Sequence, residues 1–317
     1  MLEHNNHGEL NLEKYNNWVF DISSFSFIII SKVIFMQKKA VIQVMIAMFL
    51  WGTIGIFRRY ILLPSSVLAF SRGIIGALFI FVFLKIKKYK MPAIKNKKLL
   101  WLLVLSGALM GLNWLLLFES YNYTSVAVAT LCYYMQPVMI ILVSPFLFNE
   151  TLTKKKIICV VIAVIGMFLV SGVVESEVTG IVGIVLGLSA AILYGTVVLM
   201  NKWLQGVDTY MRTMVQLLSA AVIMIPYMII TKDVVGMQMD LVSSSMLILV
   251  GVLHTGVAYA LYFGAIPKVK AQTLALFGYL DPVVAILLSA LVLHEPLSLF
   301  GIIGAICILS STLLSEW

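Results

Sequence analysis

The sequence predicts an all-α integral membrane protein of ten transmembrane helices arranged as two inverted five-helix repeats, and three observations carry that expectation. The first is composition: 62% of the residues are hydrophobic and 11% charged, with a mean hydropathy of +1.05. Soluble domains carry charge on roughly a quarter of their residues. The second is the recurrence of apolar stretches near the ~20 residues that cross a bilayer core, with short loops between them. The third is a duplication. Tyr134-Met135-Gln136-Pro137 running to Asn149-Glu150-Thr151-Leu152 returns as Tyr279-Leu280-Asp281-Pro282 running to His294-Glu295-Pro296-Leu297, at an offset of 145 residues.

Taken in order, residues 1–35 form an extension outside the main fold: a polar stretch (Asn5, Asn6, Asn11, Asn16, Asn17), then an apolar one interrupted by Asp21, Ser23, Ser24 and Lys32. It lacks the charge-then-apolar order and the small-residue cleavage site of a signal peptide. Spans are expected at about 40–57, 65–84, 99–118, 125–147 and 156–173 within a first repeat, 36–174. A second repeat, 175–317, supplies 179–200, 211–230, 241–263, 271–293 and 297–314. The duplication extends to Phe49-Leu50-Trp51-Gly52-Thr53 against Ile192-Leu193-Tyr194-Gly195-Thr196, and to Gly111 and Phe118 against Gly256 and Phe263. Because five is odd, the second copy enters the membrane from the opposite side, the architecture of many secondary transporters.

Loop charge sets the orientation. With Lys38 in the cytoplasm, sixteen lysines and arginines fall on that side and three (Arg58, Arg59, Lys232) on the other, so the chain is expected to be a multi-pass protein of the cell (inner or plasma) membrane with both ends of the ten-span unit cytoplasmic. The net charge of +8 is accounted for by these loops. It forms no basic-aromatic stripe of the kind that binds nucleic acid. Cys132, Cys159 and Cys307 stand singly in apolar runs and read as packing residues.

The sequence resembles the EamA family of the drug/metabolite transporter superfamily. The resemblance rests on Trp51-Gly52, Arg72, Tyr123-Thr124-Ser125-Val126-Ala127, the Pro137-to-Glu150 stretch and Gly166, and on Pro282, Glu295 and Gly304 in the second half. It runs from about Met36 to the C-terminus. It implies transport of small organic metabolites, often export, without nucleotide hydrolysis or a cofactor, and no particular substrate.

Several residues are candidates for that chemistry. Pro137 and Pro282 fall mid-span, where a proline removes an intrahelical hydrogen bond and kinks the helix, either for packing or to open a site. Gln136 and Asp281 are equivalent neighbours of those prolines. A charge at mid-bilayer costs about 2.5–3.5 kcal/mol on insertion scales, so Asp281 should face a cavity or a partner: a substrate amine, a coupling proton, or a permanent pairing with Arg72 or His254. Arg72 should snorkel, pair with Glu119 or Asp281, or meet a substrate carboxylate. His254 suits a proton relay or a hydrogen-bonded core position. Trp51 with Tyr194, Trp114 with Tyr259, and Tyr134 with Tyr279 are aromatic at related depths, as in the wall of an organic-solute site or as plain packing. Asn113 adds a polar group beside Trp114. Glu150 and Glu295 read as structural caps at the starts of the fifth and tenth spans.

No phosphate-binding loop, HExxH pair, metal site or nucleophile-base set occurs in the sequence. The expected partners are therefore a small-molecule solute, the bilayer and a coupling proton. A solute channel is the nearest alternative reading. An intramembrane enzyme is the more distant one, with Asp281 and His254 as its only conceivable pair.

Overall fold

The computed structural model describes residues 38–54, 56–57, 60–61, 63–92, 94–124, 126–170, 180–234, 239–293 and 299–316. Glu295, Arg58, Arg59 and the 1–35 extension lie outside them. The described residues are helical, with no strand among them. Helix α1 covers 38–54, and α2 (Ser65–Ile86), α3 (Lys97–Tyr123), α4 (Val126–Tyr133), α5 (Gln136–Phe148) and α6 (Lys154–Val170) follow. The second half holds α7 (Ile181–Trp203), α8 (Thr209–Thr231), α9 (Leu241–Leu249), a π-helix (Val250–Val257), α10 (Ala258–Ala265), α11 (Ala271–Phe277), α12 (Leu280–Leu293) and α13 (Leu299–Glu316).

Among the described residues six helical stretches are long and apolar enough to cross a membrane: Ser65–Ile86, Lys97–Ser120, Leu131–Phe148, Ile181–Trp203, Thr209–Thr231 and Leu241–Lys268; Leu299–Ser311 is a shorter apolar helix. Large apolar side chains point outward, among them Phe146, Leu241, Ile230, Ile181 and Trp101. That surface suits hydrocarbon, which supplies no hydrogen bonds and so favours helices with internally satisfied backbones. Polar residues mark where the helices start. Asn96 accepts from Lys98 N and Leu99 N, Asp208 from Tyr210 N and Met211 N, and Asp240 from Ser243 N, each satisfying amides that lack a partner within the helix.

Three expected spans are not continuous α-helices. The 125–147 stretch breaks at Tyr134-Met135, so that Pro137 sits in the first turn of α5. The 271–293 stretch breaks at Gly278-Tyr279, just ahead of Pro282 in α12. A proline is accommodated in a first turn because the amide it lacks would have no helical partner there. The two prolines therefore follow breaks and do not bend unbroken helices. In the 241–263 stretch the chain widens into a π-helix against α2, where a Cβ on Gly256 would stand 2.7 Å from Phe79 Cδ1 and one on Gly76 would stand 3.1 Å from Gly256 N.

α2 packs on α8 and α6 on α13. The first pair is antiparallel and clasped at both ends. Lys88 (φ 52°) and Lys232 (φ 57°) close the two helices in left-handed conformation. After Lys88, the Tyr89 hydroxyl donates to the Asp208 carboxylate at the start of α8 at 2.7 Å. After Lys232, Asp233 accepts from the Ser66 hydroxyl at the start of α2.

Candidate functional site

α1 lies against the break between α11 and α12. A Cβ on Gly52 would stand 2.7 Å from the Asp281 carbonyl oxygen and 2.6 Å from Val284 Cβ, so only glycine permits this approach. The reciprocal contact is looser: a Cβ on Gly195 of α7 would meet Gln136 Cγ at 3.7 Å and Ile140 Cγ1 at 3.6 Å beside the break between α4 and α5. The two polar residues next to the prolines thus each face a glycine of the other half of the chain.

Around them the structure assembles a cluster of rings. Trp51 lies 4.8 Å from Tyr259 and 5.1 Å from Tyr262, and Trp114 lies 6.0 Å from Tyr259. On the other flank Tyr133 is 5.6 Å from Tyr134 and 6.1 Å from Tyr194. Tyr194 lies within electrostatic reach of Tyr262, which joins the flanks. Asp281, half-buried, lies beside Tyr134 and within electrostatic reach of Tyr194 and Tyr259. Trp51, Trp114, Tyr134, Tyr194, Tyr259 and Asp281 therefore come together.

Arg72, in the second turn of α2, reaches the same cluster. Its guanidinium sits 5.2 Å from the centre of the Trp114 ring, and its Nε donates to Thr255 Oγ1 at 3.1 Å. It forms no ion pair with Asp281 or Glu119, and Asp281 forms none with His254; among the described residues the one ion pair is Lys202 with Glu150. The Glu119 carboxylate instead accepts from the Tyr227 hydroxyl. His254 is held by α1. The Thr53 hydroxyl donates to Leu50 O at 2.7 Å, so it must accept from His254 Nε2, 2.7 Å away, while Trp51 Nε1 donates to His254 O at 2.8 Å.

Three predicted residues lie elsewhere. Asn113 is fully buried and donates through Nδ2 to Ala190 O at 2.7 Å, tying α3 to α7. Tyr279 is buried in the core, and its hydroxyl has no partner among the described residues. Glu150 does not cap the helix that follows it, where Thr153 Oγ1 accepts from Lys156 N. The left-handed turn at Asn149 (φ 52°) precedes Glu150, whose carboxylate receives Lys202 Nζ and Ala271 N at 2.9 Å each and Gln272 N at 3.3 Å. It caps α11, in the other half of the chain. Burial works against its charge, but the amide of Ala271 and the ammonium of Lys202 hold the carboxyl below its ordinary pKa.

Sequence reasoning missed Tyr133, Tyr262, Thr53 and Thr255. No repeat-equivalent aromatic marks Tyr133 and Tyr262, which align with Gly278 and Leu117. Only the packing reveals them. A crevice of ≈420 Å³ between α1, α2, α8 and α10, lined by Gln43, Phe83, Tyr210 and Lys268 among others, contains none of the predicted site residues.

The model of the EamA-like transporter family matches residues 38–172 and again 181–317. The uncharacterized transporter YxxF of Bacillus subtilis is 29% identical over 285 residues, covering 88% of this chain and 90% of the relative. The protein PecM of Dickeya dadantii is 26% identical, covering 68% and 74%, and the protein RarD of Salmonella typhi is 23% identical, covering 80% and 85%. A solved crystal structure of a protein superposes with a TM-score of 0.78 at 17% identity, covering 87% of this chain and 98% of its own, a likeness of fold.

Proposed function

The chain belongs to the EamA-like transporter family, and from that membership we propose that it carries a small organic metabolite across the cell membrane by alternating access between two inverted five-helix repeats, 36–174 and 175–317. It is a multi-pass membrane transporter and not an enzyme. On this reading the helices make ten passages, α4 with α5, α9 with the π-helix and α10, and α11 with α12 each counting as one.

The observation that carries the proposal is the reciprocal contact of Gly52 with Asp281 and Gly195 with Gln136. In an inverted repeat each half presents the same element to the other from opposite sides, and the solute site lies at that interface near the bilayer midplane. The broken helices, the ring cluster and Asp281 meet at the contact between the two halves, which supports a solute site at that contact. The clasps of Tyr89 with Asp208 and Ser66 with Asp233 at the two ends of α2 and α8 support the inversion. Loop charge supports a cytoplasmic location for the end that holds Glu150 and Lys202. Efflux, with Asp281 as the proton-exchanging or amine-binding group, completes the reading.

The test is counterflow by purified protein in vesicles, against amino acids and aromatic or amphipathic metabolites, with and without a pH gradient. Saturable exchange that is lost in both Trp51→Ala and Tyr194→Ala is expected. Exchange untouched by both replacements would displace the site from the repeat interface, and unsaturable leak of solutes would make the protein a channel.

A further inference from the structure

Two buried arginines differ in what their donors meet. Arg212 is 1% exposed and directs its guanidinium at carbonyls: Nη1 donates to Asn201 O at 3.3 Å and Leu204 O at 3.2 Å, and Nη2 to Phe263 O. Carbonyls at a helix C-terminus complement a cation, so both Nη groups of Arg212 are engaged as structure and only its Nε lacks a partner among the described residues. Arg72 is 7% exposed, and only its Nε is engaged, by Thr255. Neither Nη group has an acceptor among the described residues. No carboxylate among them pairs with it: Asp281 lies beside Tyr134, and Glu119 accepts from Tyr227.

A guanidinium inside a membrane protein keeps its charge, and without a counter-anion that charge is poorly compensated. Its plane is nonetheless fixed, by Thr255 at Nε and by the Trp114 ring 5.2 Å away. With Nε taken, the edge left free is the pair of Nη groups, two parallel donors in the spacing that a carboxylate accepts end-on. Trp114, over which the guanidinium sits, continues into Tyr259 and Trp51 as a run of mutually tilted rings 6.0 Å and 4.8 Å apart, an apolar flank beside the cation.

We propose that Arg72 holds the carboxylate of the transported solute, and that this solute is a small carboxylate with an apolar body on the side of the Trp114 ring. The inference rests on the transport reading and adds the chemical class of the cargo. The solute's negative charge completes the compensation of Arg72, so that binding replaces water at the two Nη groups with a bidentate partner.

Four probes of one size separate the elements of recognition: 3-phenylpropionate, its amide 3-phenylpropionamide, phenylethylamine and phenylalanine, each titrated calorimetrically into the full-length purified protein. The expected result is binding of 3-phenylpropionate and phenylalanine at least about tenfold tighter than that of the amide or amine, the range of a charged hydrogen bond. This comparison needs no mutation. Arg72→Lys, which keeps the charge and removes the fork, should weaken 3-phenylpropionate binding several-fold, and Arg72→Gln should bring it level with the amide. The proposal is overturned if wild-type protein does not bind 3-phenylpropionate, binds the amide as tightly, or keeps its carboxylate preference in Arg72→Gln. Counterflow separates this from the transport reading. Exchange of uncharged or cationic solutes alone overturns the carboxylate and leaves transport standing, whereas carboxylate binding through Arg72 with no exchange of any solute supports the anion site and removes the transport reading.

Discussion

Gly52 of α1 stands against the carbonyl of Asp281 in α12, so close that a Cβ there would lie 2.7 Å from the oxygen. Its counterpart Gly195 leaves 3.6 Å to the nearest atom, an ordinary contact distance. Equivalent glycines are thus under unequal constraint, and the tighter one holds the charged member of the pair Gln136 and Asp281.

Gly52→Ala is expected to destabilise the protein by about 1–3 kcal/mol through overpacking, seen as a lower midpoint in thermal unfolding of the detergent-purified chain. Gly195→Ala should be neutral or stabilising by up to about 1 kcal/mol, because alanine is the better helix former and has room. Equal losses in the two variants would mean that the Gly52 approach is not the tighter contact.

Glu150 and Lys202 should be coupled. Their side chains are each 9% exposed, and Glu150 also holds the first amides of α11. A double-mutant cycle with Glu150→Gln and Lys202→Met is expected to give an interaction of roughly 0.5–3 kcal/mol, read from thermal or denaturant unfolding. Strict additivity would remove the contact from the stabilising set.

The same contact predicts a pH response. Because the folded carboxyl of Glu150 is held below its ordinary pKa, its stabilisation is present at neutral pH and is lost as pH falls through the lowered value. The difference in unfolding midpoint between wild type and Glu150→Gln should be constant from about pH 8 to 6 and shrink below about pH 4. A difference that grew toward acid would contradict the depressed pKa.

Lys88 and Lys232 end α2 and α8 in the same left-handed conformation at opposite ends of an antiparallel pair. In a background lacking Cys132, Cys159 and Cys307, a membrane-impermeant maleimide is expected to label Lys88→Cys and Lys232→Cys from opposite sides of sealed vesicles. Labelling of both from one side would refute the inverted arrangement.

Asp281→Asn should leave the protein folded, since the amide has the shape of the carboxyl it replaces, while abolishing or strongly reducing exchange in the counterflow assay. Full exchange by this variant would place the essential chemistry elsewhere.

The membrane class, the helical content and the duplication needed only composition and spacing, because apolar length and repeated order are properties of the chain itself. The prolines were legible as interruptions, and the pairing of Gln136 with Asp281 could be read from their equal offset. Other features depended on what lay across the helix interface. Glu150 resembles a cap for its own following helix until the turn at Asn149 carries it to Lys202 and Ala271, residues more than fifty positions away. The π-helix arises where Gly256 meets Gly76 and Phe79, and Tyr133 and Tyr262 enter the ring cluster through contacts that no repeat position marks. Arg72 shows the division most plainly. Its cost in a membrane is evident from residue type alone, but that its two Nη groups are without an acceptor among the described residues depends on where every nearby carboxylate points, and packing alone settles that.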